Sequence, residues 1–411
     1  MLFLWWNMVR RAMAGPGSQY DDFVKFARDL LFEHENLYRT YPADNTITKY
    51  PPFFAFVYAP LVPLPVWLGA SIWFWVSLAC AAGAAVASAL AVGATAEELR
   101  RRPSLVLVPF LLIAGVVISN LETGQVNLFV LFFWTLGLLF VEQGHEGRGG
   151  GLIGFTTAVK ITSGIFIPFF IWIWRWRAAM TAVFVLGLCW GLALKLGLGS
   201  REFYGEVMQS WFRKATPFLT EGGLAEGEGG FRHTNQSFSA VLYRFATRTP
   251  ALAGREGFYV NFVTLGSETI RWIINGAVLG LLAVLVWVTR GLGRGPEGDL
   301  RRGFGSGLVM MATLFLSPIS WINHYVLLLF PYAAAWRYVA TRPAGDPGRR
   351  LLLWCLVVSA ILVATGISQL LLAFSLPFFG AAVLFAGMAV VLQRQRPEEQ
   401  AELRLAGGAA Q

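Results

Sequence analysis

Residues 151–173 read GLIGFTTAVKITSGIFIPFFIWI. The run is apolar and long enough to pass for a membrane-crossing helix, which needs roughly 20 such residues. Yet Lys160 stands in its middle beside Thr157, Thr162, Ser163 and Gly164, and Pro168 follows. A continuous helix would hold that ammonium in hydrocarbon, where it costs kilocalories unless it meets water or an anion. The flanks sharpen the conflict. Arg148 precedes the run and Arg175 and Arg177 follow it, so the basic bias that marks cytoplasmic loops stands at both ends. One crossing cannot begin and end on the same side. The sequence therefore predicts a broken, re-entrant helix whose polar tip lines a cavity.

Outward from this break, further apolar runs occupy about 67–93, 104–120, 125–142, 177–199, 268–290, 303–318, 322–340, 351–370 and 376–393. Counted without the broken run they give nine full crossings. Arg100–Arg102, the loops 290–302 and 337–350, and the tail with Arg394, Arg396 and Arg404 are assigned to the cytoplasm. Two long segments, 15–66 and 200–267, then lie outside. Composition agrees with a chain whose solvent is lipid: 56% of the 411 residues are hydrophobic and 14% are charged, against roughly 25% charged in a soluble domain. The expected fold class is an all-α polytopic membrane protein, multi-pass in the cell membrane.

Six regions follow from this reading. Residues 1–14 form a truncated or interfacial N-terminal segment, since Met1 to Val9 is too short to span before Arg10 and Arg11. Residues 15–66 are a first outside loop with an acidic motif, an amphipathic stretch from Asp21 to Phe32, and a Pro-rich amphiphile, Pro51 to Pro65, at the membrane surface. Residues 67–199 are an N-terminal transmembrane module, 200–267 a second long outside loop, 268–393 a C-terminal module, and 394–411 a cytoplasmic tail. Within the second loop, EGGLAEGEGG at 221–230 reads as mobile.

The net charge of +9 does not point to nucleic acid, because the basic residues are dispersed among short loops and form no stripe with solvent-facing aromatics. Cys80, Cys189 and Cys355 lie inside apolar runs and read as small buried hydrophobes. The four histidines form no ligand pair at helical spacing. No metal site and no cofactor are expected.

Polar candidates gather on the outside face. Asp21 and Asp22, after Tyr20, form either a solvated helix cap or a general base that takes a proton from a hydroxyl acceptor. Asp29, Glu33 and Glu35 read as a wet helix face. Lys49 and Tyr50 precede Pro51-Pro52, a rigid turn that brings a cation and a phenol to the level of lipid phosphates. Glu122, Gln125 and Asn127 sit in NLETGQVN, where a tight hairpin alone would explain Asn120 and Gly124. Lys160 calls for a phosphate or a carboxylate. His233 to Ser237 precede an amphipathic stretch with Arg244, while Ser317, Trp321 and His324 lie in LSPISWINHY. The histidine, one turn into an apolar helix, needs a polar partner.

Taken in order, these motifs resemble glycosyltransferase family 87, of the GT-C fold group. An acidic first loop ends in ENLY (35–38), followed by KYPPFF (49–54), GQVN (124–127), TAVK (157–160), NQSF (235–238) with Arg244 downstream, and LSPISWINHY (316–325). The resemblance implies about nine to ten transmembrane helices, a re-entrant broken helix and extracytoplasmic loop helices. It implies inverting, metal-independent transfer of a hexose, mannose first, from a polyprenyl-phosphate donor to a glycolipid or glycan acceptor outside the cytoplasmic membrane. Under it Asp22 or Asp21 becomes the general base, and Lys160 and His324 hold the donor phosphate. Gln125, Asn127, Asn235 and Gln236 line the sugar or acceptor. The family normally places a complete first helix before the acidic loop; here a largely apolar stretch of nine residues, Met1 to Val9, stands there.

Transport is the competing class, since a lipid-linked sugar flippase or small-solute carrier also uses a broken helix with a buried lysine. It would carry inverted repeats and polar residues through the bilayer depth, whereas this chain shows no such repeat and keeps its polar groups on one face. A membrane scaffold leaves Lys160, His324 and the aspartate pair unexplained.

Overall fold

The computed structural model describes residues 1–15, 18–40, 49–220, 233–252, 257–294 and 299–408. The Gly/Glu-rich patch at 221–230 lies outside them. The protein is 80% helical without strands among the described residues; extended pairing is limited to an isolated bridge between Asn235 and Trp321. It is an all-α polytopic membrane protein.

Five helices are long and apolar enough to cross a bilayer: Val66–Ala91, Trp176–Gly197, Ser267–Thr289, Pro347–Ile367 and Leu376–Gln395. Among the described residues the pair Ser104–Leu112 and Ala114–Thr123, bent by 66°, makes a sixth if its two halves are taken as one span. Pro109 lies inside its first half and removes one intrahelical hydrogen bond there. The remaining crossings expected from sequence, Asn127–Glu142, Leu300–Leu316 and Ile322–Thr341, are shorter or partly 3-10. They are buried along much of their length and connect the same two ends of the bundle.

The run that decided the fold is broken where its lysine stands. Helix Glu146–Val159 stops at Lys160, whose backbone is extended (φ −148°, ψ 111°), and the chain returns through a 3-10 turn, Ile161–Ile165, and helix Phe166–Trp172. At about 1.5 Å per α-helical and 2.0 Å per 3-10 residue, the two legs are each about 20 Å long. Their far ends meet, with Arg175 Nη1 at 2.9 Å from Glu146 Oε1. The segment thus enters and leaves at one face.

Glycines let the ascending leg approach its neighbours. A Cβ on Gly149 would stand 2.5 Å from Gly137 O, and one on Gly150 or Gly154 would run into the carbonyls of Ala178 and Ala182. At the tip, Trp190 Nε1 donates to Ala158 O at 3.2 Å, satisfying a carbonyl freed by the helix end. Trp190 sits in a π-helical turn, Leu188–Ala193, which offsets the regular side-chain register.

Ion pairs collect at the face where the re-entrant segment begins and ends. Arg302 Nε lies 3.0 Å from Glu142 Oε2 with both side chains buried, and Arg337 Nη1 lies 2.8 Å from Glu98 Oε2. These contacts gather the loops that the charge bias grouped together. The opposite end carries the polar motifs.

On that opposite end the Pro-rich amphiphile buries one face in the protein: Phe54 and Tyr58 are fully buried, and their rings pack with Phe23 at 4.9 and 5.2 Å. One expectation changes there. Asp29 is 5% exposed, so it is no wet-face residue, whereas Glu33 and Glu35 are exposed. The first segment forms helix Leu2–Met13, which lays Met8, Val9 and Ala12 against the bundle; Trp5 Nε1 donates to Ser71 Oγ at 3.0 Å.

Candidate functional site

Two lysines and a histidine predicted from separate motifs meet at one cavity. Lys49, Lys160 and His324 line it together with Tyr50, Ser317 and Trp321, around a volume of about 150 Å³. A smaller recess, also lined by Lys160, Ser317 and His324, continues to Asn127 and Thr313. Lys160 arrives on the tip of the re-entrant segment, Lys49 and Tyr50 at the entry to the Pro-rich turn, and His324 in the 3-10 helix Ile322–Leu328.

The contacts of Lys160 are neutral or aromatic. Lys160 Nζ donates to Asn127 Oδ1 at 2.6 Å and lies 5.7 Å from the centre of the Tyr50 ring. Lys49 Nζ lies 5.6 Å from the Trp321 ring, and that indole packs at 5.9 Å from His324. Tyr50 is fixed from behind by the rings of Phe54 and Phe23 at 4.2 and 5.3 Å, and its carbonyl accepts from Tyr38 Oη at 2.8 Å. Aromatic faces attract cations without neutralising them. An anion that enters this cavity therefore meets the Lys160 ammonium between aromatic walls, where attraction is stronger than in bulk water.

The GQVN turn holds the floor. Gly124 adopts a left-handed conformation (φ 70°) that glycine tolerates without strain, and a Cβ there would lie 2.7 Å from Tyr20 Cβ. Its carbonyl accepts from Trp73 Nε1 at 3.0 Å and from Tyr58 Oη at 3.3 Å. Gln125 is fully buried and gives its amide to Gln19, so it ties the turn to the aspartate-bearing helix and lines neither cavity.

Three residues expected to bind substrate stand behind the wall instead. Asn235, Gln236 and Arg244 are each 0% exposed. Asn235 Nδ2 donates to Pro318 O at 3.0 Å while its Oδ1 accepts from Ser320 N at 2.9 Å. Gln236 Nε2 donates to His233 O and Leu372 O at 2.6 and 2.8 Å. Arg244 donates to Asn235 O and Ser375 Oγ, both at 2.7 Å, and burial lowers its guanidinium to about 10, still protonated at neutral pH. Asn235 clamps the second long loop to the 316–325 connector, which carries Ser317, Trp321 and His324, while Gln236 and Arg244 tie the same loop to the turn at Leu372 and Ser375. NQSF is a structural clasp because its side chains match backbone groups that an irregular connector leaves open.

Asp21 and Asp22 fall in the first turn of helix Gln19–Leu31, where the helix dipole favours negative charge. Asp21 lines a neighbouring cavity of about 300 Å³ with Lys25, Arg28, Asp29 and Glu33; no lining residue is shared with the Lys160 cavity. Burial, reinforced by Asp21 and opposed by Lys25, raises the Asp22 carboxyl above the usual carboxylate range. The next residue, Phe23, touches Tyr50, so one aromatic contact separates the acidic helix from the cationic cavity. Glu122 lines a third cavity, of about 370 Å³, with Ser119, Ile322 and Ile367, and is not among the residues around Lys160.

Sequence reading passed over two members of this end. Asn323 supplies the backbone carbonyl to which both Asn120 and Asn127 donate, at 3.0 and 3.3 Å. Asn120, read there as part of a hairpin, is fully buried. Three asparagines near the ends of apolar helices were the available signal. Among the described residues, no three His, Cys, Asp or Glu side chains come together as a metal-binding group.

With this geometry in place, the chain can be set beside known proteins. The profile of glycosyltransferase family 87 matches residues 48–318. A polyprenol-phosphate-mannose-dependent alpha-(1-2)-phosphatidylinositol pentamannoside mannosyltransferase of Mycobacterium tuberculosis (strain CDC 1551 / Oshkosh) is 27% identical over 314 residues, covering 76% of this chain and 63% of the relative. Its namesake from Mycolicibacterium smegmatis (strain ATCC 700084 / mc(2)155) is 25% identical over 323 residues, 77% of this chain and 65% of the relative. The matched region thus spans just under two thirds of each of these relatives. No solved structure matches the chain significantly.

Proposed function

The chain belongs to glycosyltransferase family 87, and from that premise we propose that it transfers a hexose, mannose first, from a polyprenyl-phosphate donor to a lipid-linked or glycan acceptor. The observation that carries this reading is the convergence of Lys49, Lys160 and His324, from three distant segments, on one aromatic-walled cavity. The relatives named for polyprenol-phosphate-mannose dependence support the donor class. The charge bias of the loops supports an active site on the extracytoplasmic side of the cell membrane.

In the proposed reaction the acceptor hydroxyl attacks the anomeric carbon as Asp22 or Asp21 takes its proton, and the bond from that carbon to the phosphate oxygen breaks. The polyprenyl phosphate leaves carrying the bonding pair. Lys160, His324 and Lys49 stabilise the charge that develops on the departing phosphate, the role of preorganised donors in a low-dielectric site. Attack opposite the leaving group inverts the anomeric configuration. The cations provide this stabilisation without a metal ion in the scheme.

The test is incubation of the purified protein in lipid with labelled polyprenyl-phosphate mannose and a panel of acceptor glycolipids. Product formed without added metal supports the transferase. Donor binding without transfer across the panel overturns it in favour of a lipid-linked sugar flippase.

A further inference from the structure

A chain of amides runs behind Lys160. Asn120 Nδ2 donates to Val116 O at 2.8 Å and to Asn323 O at 3.0 Å. Both partners are carbonyl oxygens, so only the nitrogen end of this amide can face them. Its Oδ1 is thereby turned to accept from Asn127 Nδ2 at 3.0 Å, and the same nitrogen reaches Asn323 O at 3.3 Å. With its N–H groups directed there, Asn127 presents its oxygen to Lys160 Nζ at 2.6 Å. An ammonium has donors alone to offer, so the polarity of the chain agrees from both ends. Asn323 is held in turn by Ser119 Oγ, which donates to its Oδ1 at 2.7 Å, and the next residue is His324.

We propose that Asn120 is a positioning residue for anion binding: it fixes the amide polarity of Asn127, and the pair holds Lys160 and, through Asn323, His324 against the cavity. The inference rests on the phosphate-binding reading of that cavity. Its chemistry explains why the partner is an amide. An aspartate at 127 would satisfy the ammonium equally well but neutralise it, whereas the asparagine orients Lys160 and leaves its charge for a phosphate. Asn120 Oδ1 supplies, at 3.0 Å, the shorter of the two acceptors that hold the N–H end of Asn127 away from the ammonium, the other being Asn323 O at 3.3 Å. A buried polar chain of this kind is effective only when every member is satisfied.

The test is a double-mutant cycle in lipid nanodiscs, with the full chain titrated with a polyprenyl phosphate and assayed for transfer. Asn120→Ala is expected to raise the Kd for polyprenyl phosphate and the KM for donor about tenfold, the equivalent of one tenfold step in affinity, with the acceptor KM unchanged. In a Lys160→Met background the same substitution is expected to change the Kd by less than about twofold, because residues that act through one another are non-additive. An equal factor in both backgrounds, or an equal rise in the acceptor KM, overturns the proposal in favour of helix packing alone. Should Asn120→Ala not yield folded protein, Asn127→Leu carries the same comparison. If Lys160→Met itself leaves polyprenyl-phosphate binding intact, the phosphate reading of the cavity fails. A loss in Lys160→Met without one in Asn120→Ala overturns only the positioning role.

Discussion

Arg302 and Lys160 are both cations taken out of water, at opposite ends of the bundle, and they differ in what meets them. Arg302 is 1% exposed and lies against the Glu142 carboxylate. Lys160 meets the Asn127 amide oxygen and the Tyr50 ring, and among the described residues no carboxylate pairs with it. A carboxylate cancels the charge it holds; an amide only aims it. One end of the molecule therefore uses a buried cation to lock the fold, while the other sets its cation against an amide and a ring, as the proposed anion site requires.

Removing the acidic partners at the site end should give the largest effect. The double substitution Asp21→Asn/Asp22→Asn is expected to reduce transfer by about 10²–10⁴-fold, the usual worth of a general base, while polyprenyl-phosphate binding persists; retained turnover excludes these residues as the base. The raised Asp22 carboxyl adds a pH signature. A base works deprotonated, so transfer should fall as the pH drops through that raised pKa, and Asp21→Asn, which removes one cause of the rise, should move the acid limb to lower pH. The sign for the fold is opposite. Burial favours the protonated carboxyl, so its contribution to stability is full below the unfolded pKa and is lost as pH rises through the folded one.

At the ion-paired end, Arg302→Met leaves Glu142 buried without its guanidinium and should destabilise the protein by about 3–5 kcal/mol. Thermal unfolding in detergent measures this, with transfer per folded molecule unchanged. A shift in donor KM would show that the two ends are not functionally separate. Lys160→Met should do the reverse, raising the donor KM by about 10–100-fold, as expected for about 1.5–3 kcal/mol in a hydrogen bond to a charged group. The unfolding temperature should hold, because no carboxylate is stranded.

The break at Lys160, the shared face of the basic loops and the meeting of Lys49, Lys160 and His324 were all legible in the sequence. The break rests on the cost of charge in hydrocarbon, which acts on a single residue irrespective of its partners, the shared face on the charge bias of the loops, and the meeting of the three side chains on the family resemblance. What escaped was partner-dependent. Asn235, Gln236 and Arg244 look like ligands for a substrate as readily as for a carbonyl, and only the paths of the 316–325 connector and the 372–375 turn decide between them. Asn120 and Asn323 lie about 200 residues apart, so their hydrogen bond has no local pattern. Phe54 and Tyr58 were not singled out as buried, because prolines interrupt the periodicity that would have marked their face.

The smallest effect tests whether burial, and not ion pairing as such, separates the two ends. Arg337 and Glu98 sit 2.8 Å apart at the ion-paired end, but their side chains keep 17% and 24% of their exposure, so water and salt screen them more than the buried Arg302–Glu142 pair. Glu98→Gln should therefore cost less than about 1 kcal/mol, and the loss should shrink further as ionic strength rises and the Debye length falls to about 3 Å at 1 M. Thermal unfolding of this variant at low and high salt gives both numbers. A loss as large as that of Arg302→Met would mean that the pairs act as one network, in which desolvation at Arg302 is sustained by charge at Arg337. The contrast with Lys160 would then lie in the connectivity of each end, with the nature of its single partner secondary.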